Sequence, residues 1–62
     1  MRTITVVIEY ATISPAVLES CTFANLCGWC FYHEIDEDTF EFSVYCRQED
    51  AAWVEDRLAQ YV

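Results

Sequence analysis

Lysine is missing altogether, and positive charge rests on Arg2, Arg47 and Arg57 alone. That excludes a basic patch of the kind that holds a nucleic-acid backbone or an anionic membrane. Glycine and proline occur once each, as Gly28 and Pro15. A glycine-rich phosphate loop is thereby excluded, and a loop-rich scaffold knitted by disulfides is not expected. Long apolar runs are also missing: residues 20–33 are free of charged side chains but too short and too polar to cross a bilayer. No secretory leader is read at the start, where Glu9 comes early and the residues before it alternate like a strand. The expectation is a soluble cytoplasmic protein whose cysteines stay reduced.

Acids and hydrophobic side chains make up the balance. The chain has 62 residues, of which 55% are hydrophobic and ten are aromatic. It is read as one domain, residues 1–62, of a size that buries only about 60% of its unfolded surface. The net charge is -8, and it is lopsided: residues up to His33 carry -1 and those from Glu34 onward carry -7. Such a surface repels nucleic acid and membrane, and its natural complement is a basic protein surface. Net charge of this size also serves solubility, and by self-repulsion it favours a monomer.

Five elements follow from periodicity. Residues 3–10 alternate, with Ile4, Val6, Ile8 and Tyr10 on one face, which predicts a strand. Ser14 as N-cap and Pro15 at the first helical position open a helix. Its buried side is expected to carry Val17, Cys21 and Ala24, with Leu18 at the edge, and Gly28 is the expected stop. Residues 29–35 and 40–47 read as two strands joined by a turn at 36–39. Setting Ile35 opposite Phe40 pairs His33 with Phe42, Phe31 with Val44 and Trp29 with Cys46 on one face. The other face then holds Glu34 with Glu41, Tyr32 with Ser43 and Cys30 with Tyr45. Residues 49–61 read as a helix with the stripe Ala51, Val54, Leu58, Tyr61 and Val62. The order β-α-β-β-α predicts an α+β two-layer sandwich: a three-stranded antiparallel sheet, third strand central, with both helices on one face.

Cys27-Gly28-Trp29-Cys30, with His33 close behind, has the spacing of redox and zinc sites. A reactive dithiol needs a lowered thiol pKa, from a helix N-terminus or a nearby cation. This pair follows a helix C-terminus, where the dipole acts the other way. Zinc needs more ligands than one C-x2-C pair provides. Cys30 and His33 fall on opposite faces of a strand, and the pairing above also separates Cys30 from Cys46. The cysteines are therefore read as apolar filler, with no metal or cofactor expected. Glu34 beside Glu41 is a carboxylate pair of the type used in acid–base chemistry, but on an open sheet it has no cleft. The chain is read as a non-enzyme.

The open sheet face is instead the candidate partner-binding surface. Glu34 and Glu41 sit together there, Glu9 joins from the first strand, and Asp36, Glu37 and Asp38 extend the charge around the turn. Tyr32 and Tyr45 lie between the acids. Carboxylates on alternate strand residues stand roughly 6.7 Å apart, a ladder that imitates successive phosphates, and the tyrosines offer flat, base-like contact area. A second patch is Trp53 on the last helix, ringed by Glu49, Asp56 and Gln60. It is either an interface anchor or a cap on the core.

In size, charge and the acids Glu34, Asp36, Glu37, Asp38, Glu41, Glu49, Asp50, Glu55 and Asp56, the whole chain resembles the phage-encoded anti-CRISPR proteins. Among these it is most similar to the acidic inhibitors of type I surveillance complexes. The resemblance implies a DNA mimic acting in the host bacterial cytoplasm, which binds the effector complex and keeps target DNA from loading. The PAM-reading large subunit is the implied partner. Two alternatives stand beside it. One is a metal or redox module built on Cys27 and Cys30. The other is a generic acidic interaction protein, such as an antitoxin or assembly subunit.

Overall fold

The computed structural model describes residues 1–20 and 29–62. The expectations for Cys21, Ala24, Cys27 and Gly28 lie outside the described residues. Strands β1 (Arg2–Glu9), β2 (Trp29–Glu34) and β3 (Thr39–Cys46) form one antiparallel sheet in the order β1-β3-β2. Helix α1 spans Pro15–Ser20, and helix α2 spans Ala51–Ala59 behind a 3-10 turn at Gln48–Asp50. No helix among the described residues is long and apolar enough to cross a membrane.

The core lies on one side of the sheet, as the alternation in β1 requires. Ile4 and Ile8 of β1 join Phe40, Phe42, Val44 and Cys46 of β3, and the layer is closed by Leu18 of α1 and by Ala51, Val54 and Leu58 of α2. The third strand is central, and both helices feed the same core. The α+β sandwich expected from the sequence is the fold observed.

Local chemistry explains the element ends. Ser14 Oγ accepts the Val17 N–H at 3.3 Å and its carbonyl accepts the Leu18 N–H at 3.2 Å, so Ser14 caps α1. The buried face of α1 differs from the expected one. Pro15 and Leu18 are buried, whereas Val17 is half exposed. In α2 the stripe Ala51, Val54 and Leu58 is buried as its spacing demands. Val62 leaves the stripe and is exposed. The acids at the start of this helix sit in the 3-10 turn, where Arg47 takes Glu49 at 3.1 Å and Asp50 at 3.2 Å.

The pairing of β2 is the main correction. Glu34, not Ile35, lies opposite Phe40, and Tyr32 lies opposite Phe42, Cys30 opposite Val44 and His33 opposite Glu41. The register is one residue away from the expected one, so every side chain of β2 changes face. The cause is in the turn. Ile35 and Asp36 both donate their N–H to the Thr39 carbonyl, at 3.1 and 3.3 Å. Two residues facing one is the arrangement of a bulge, which takes up one residue and shifts everything beyond it. Asp36 holds the loop in that shape. Its Oδ1 accepts the N–H groups of Asp38 and Thr39 and the Thr39 hydroxyl, at 2.8, 2.9 and 2.9 Å. These bonds also keep the Asp36 carboxyl below its ordinary pKa, the Asp38 N–H contributing most.

Candidate partner-binding surface

The corrected register redistributes the candidate residues. Tyr32 and Glu34 stand on the helix side of the sheet, where Tyr32 meets Phe40 edge-on at a centroid distance of 6.2 Å. Glu41 and Tyr45 keep their places on the open side, and Glu9 joins them there from β1. Glu34 and Glu41 are therefore on opposite faces, and the expected like-charge pair between them does not form. Cys30 likewise moves to the helix side, the side of the buried Cys46. The separation of those two cysteines is thus overturned, while His33 does face away from Cys30. Burial pushes the Cys46 thiol pKa up, and Asp50 adds to this, which keeps it a neutral apolar filler.

Charge is segregated along the strands. At the turn end stand Glu34, Asp36, Glu37 and Asp38, with Glu41 on β3. Glu9 is beside them because β1 ends against the turn, Tyr10 donating its N–H to the Asp38 carbonyl at 2.9 Å. Tyr10 reports the same crowding. It packs on Phe40 at 4.9 Å, and its hydroxyl pKa is raised by burial first, then by Glu34, Tyr32 and Asp36. The arginines are all spent elsewhere. Arg2 pairs with Glu55 at 2.9 Å, Arg47 holds Glu49 and Asp50, and Arg57 lies 5.4 Å from the centre of the Trp53 ring. Surface pairs like these contribute little stability, but they decide where the uncompensated charge remains. Most of it remains at the turn end, with Glu19 and Asp56 outside these pairs on the two helices.

Of the second patch, Glu49 is neutralised by Arg47, and Trp53 is half buried against the core under Arg57. Trp53 thus packs on the edge of the core with part of its surface open, and Asp56 stands exposed beside it on α2.

The open face carries aromatics that the expected register had placed inside. Three cross-strand rows run over it: Trp29–Tyr45–Thr3, Phe31–Ser43–Thr5 and His33–Glu41–Val7. Trp29 is 76% exposed and Phe31 52%, with Tyr45 and Val7 also open. Ser43 is buried at the centre and shares a 3.0 Å hydrogen bond with the Thr5 hydroxyl. Exposed aromatics gathered on one face make it a candidate interaction surface. A signal for them did exist in "WCFYHE", since both alternating sets contain an aromatic and one set must face outward.

Among the described residues, no group of three or more His, Cys, Asp or Glu side chains is arranged to hold a metal ion. Compared with protein-family models, curated proteins and solved structures, the chain matches none.

Proposed function

We propose that this chain is a small acidic inhibitor, without catalytic activity, that occupies a basic nucleic-acid-binding surface of a partner protein. Its most specific form is an anti-CRISPR protein that blocks target-DNA loading by a type I effector complex. The observation that carries the reading is the concentration of arginine-free carboxylates at the turn end. Glu34 on one face, Glu9 and Glu41 on the other, and Asp36 to Asp38 at the tip make a charged knob instead of a one-sided ladder. A knob of this kind fits a groove lined with Lys and Arg that otherwise holds DNA backbone. Trp29, Phe31 and Tyr45 supply apolar contact area beside it.

The test is competition on a purified type I effector complex. The chain is expected to bind the complex, to be displaced by target DNA, and to bind more weakly as salt rises. Changing Glu37 and Asp38 to Gln and Asn, which spares the Asp36 turn, should weaken binding about tenfold through lost charge-assisted contacts. Simultaneous binding of DNA and this chain to the complex would remove the mimicry mechanism.

A further inference from the structure

We infer that the open sheet face binds arginine side chains of the partner, their guanidinium planes stacked on Trp29, Phe31 and Tyr45 and hydrogen-bonded to Glu41. It rests on the inhibitor reading for one thing only, that the partner is a basic protein. The three rings form one group. Trp29 lies directly opposite Tyr45, and Phe31, opposite Ser43, is one diagonal step from Tyr45. Neighbours of both kinds are within reach of each other's side chains. All three rings are exposed. At the centre the Ser43 hydroxyl is buried and already bonded to Thr5, so it needs no partner from a ligand.

Negative charge stands beside the rings. Glu41 is two residues from Ser43 on β3, diagonal to Phe31 on the side away from Tyr45. Glu9 is on the same face at the end of β1. No ion pair among the described residues involves either carboxylate, and residues 21–28 contain no charged side chain. The other strand positions on this face are uncharged apart from His33, which lies across from Glu41.

Rings and carboxylate together select the occupant. An apolar partner covers the rings but takes Glu41 away from water without a countercharge, which is costly. Nucleic acid and acidic protein surfaces are repelled. A lysine ammonium meets the charge, but it is a compact, strongly hydrated point that matches flat rings poorly. A guanidinium meets both needs. Its weakly hydrated plane stacks on an aromatic face while its edge donates to a carboxylate. A second copy of this chain is a poor donor, since Arg2 is engaged with Glu55, Arg47 with Glu49 and Asp50, and Arg57 with Trp53. The arginines come from a different protein. Rings at alternate positions of β2 stand roughly 6.7 Å apart, which matches arginines at alternate positions of an extended segment.

Titration calorimetry on the purified chain tests this, with two peptides of equal length and charge, one alternating Ser with Arg and the other Ser with Lys. Long-range attraction to the acidic chain is then the same for both. The Arg peptide is expected to bind about tenfold more tightly, and to shift the ring proton resonances of Trp29, Phe31 and Tyr45. Trp29→Ala with Phe31→Ala, both at exposed positions, should bring the two affinities together. Glu41→Gln should weaken the Arg peptide about threefold. Glu37→Gln with Asp38→Asn should weaken both peptides alike and leave their ratio unchanged. Should the ring variant fail to fold, the ring resonances of the unaltered chain decide. Equal affinity for the two peptides overturns the proposal, as do ring resonances that stay still when the Arg peptide binds, a preference that survives loss of the rings, or an Arg affinity indifferent to Glu41→Gln. Binding to the effector complex is a separate measurement: its failure with the Arg preference intact would strike the inhibitor reading and leave this face as an arginine site.

Discussion

Phe42 and Phe31 differ by one turn of logic that can be measured. Phe42 is fully buried in the central strand, with Val6 and Tyr32 as its cross-strand neighbours, whereas Phe31 stands half exposed on the open face. Truncating a buried phenylalanine loses its transfer free energy and leaves a cavity, together about 3–5 kcal/mol. At about 0.05–0.15 kcal/mol per residue, a chain of 62 residues has only about 3–9 kcal/mol of stability. Phe42→Ala should therefore lower the thermal midpoint by roughly 20 °C or more, or leave the chain unfolded at room temperature. Phe31→Ala should cost under about 1 kcal/mol, a few degrees. Thermal and urea unfolding followed by circular dichroism measure both. The alternative register buries Phe31 against Val44 and requires two comparable losses. If Phe31→Ala costs as much as Phe42→Ala, the register and the exposed aromatic face are both wrong.

Three further outcomes are expected. Asp36 has a lowered pKa in the folded chain, so its contribution is fully present above the unfolded carboxylate value of about 4 and is lost as pH falls through the folded value. Urea melts should show Asp36→Ala less stable than the parent at pH 7, with the gap narrowing as pH falls below about 4; a gap that does not narrow on acidification would deny the carboxylate its role in the turn. The Cys46 thiol, buried and with its pKa raised, should react with a thiol reagent at pH 8 only at the rate of unfolding, so rapid labelling in the native state would contradict its place in the core. Selective quenching by iodide or acrylamide should reach Trp29 far more than Trp53, which single-tryptophan variants can separate, and equal quenching would place Trp29 inside.

Much of the architecture was legible from periodicity because burial on one side imposes it. The even residues of β1 and the apolar set Phe40, Phe42, Val44 and Cys46 have a single buried face, and a slip in either would expose that face to water. The stripe Ala51, Val54 and Leu58 is legible in α2 for the same reason, as is the Ser14–Pro15 helix start. The surplus of acids and the lack of lysine follow from composition alone.

The pairing of β2 was decided in three dimensions. As an edge strand it is mostly exposed on both faces, so hydrophobicity gives it little preference for one register. With that preference weak, the Asp36 loop decides, through three hydrogen bonds and a bulge that no alternation pattern reveals. One residue of slip parted Glu34 from Glu41, carried Tyr32 onto Phe40, and brought Trp29 and Phe31 to the open face. Likewise, which acids keep their charge uncompensated depends on the reach of three arginines, a property of folded distances. Composition determines that the protein is acidic. The sequence also sets Glu34, Asp36, Glu37, Asp38 and Glu41 around one turn; only the tertiary structure decides that no arginine reaches them, because the arginines fold back onto Glu55, the Glu49–Asp50 turn and Trp53.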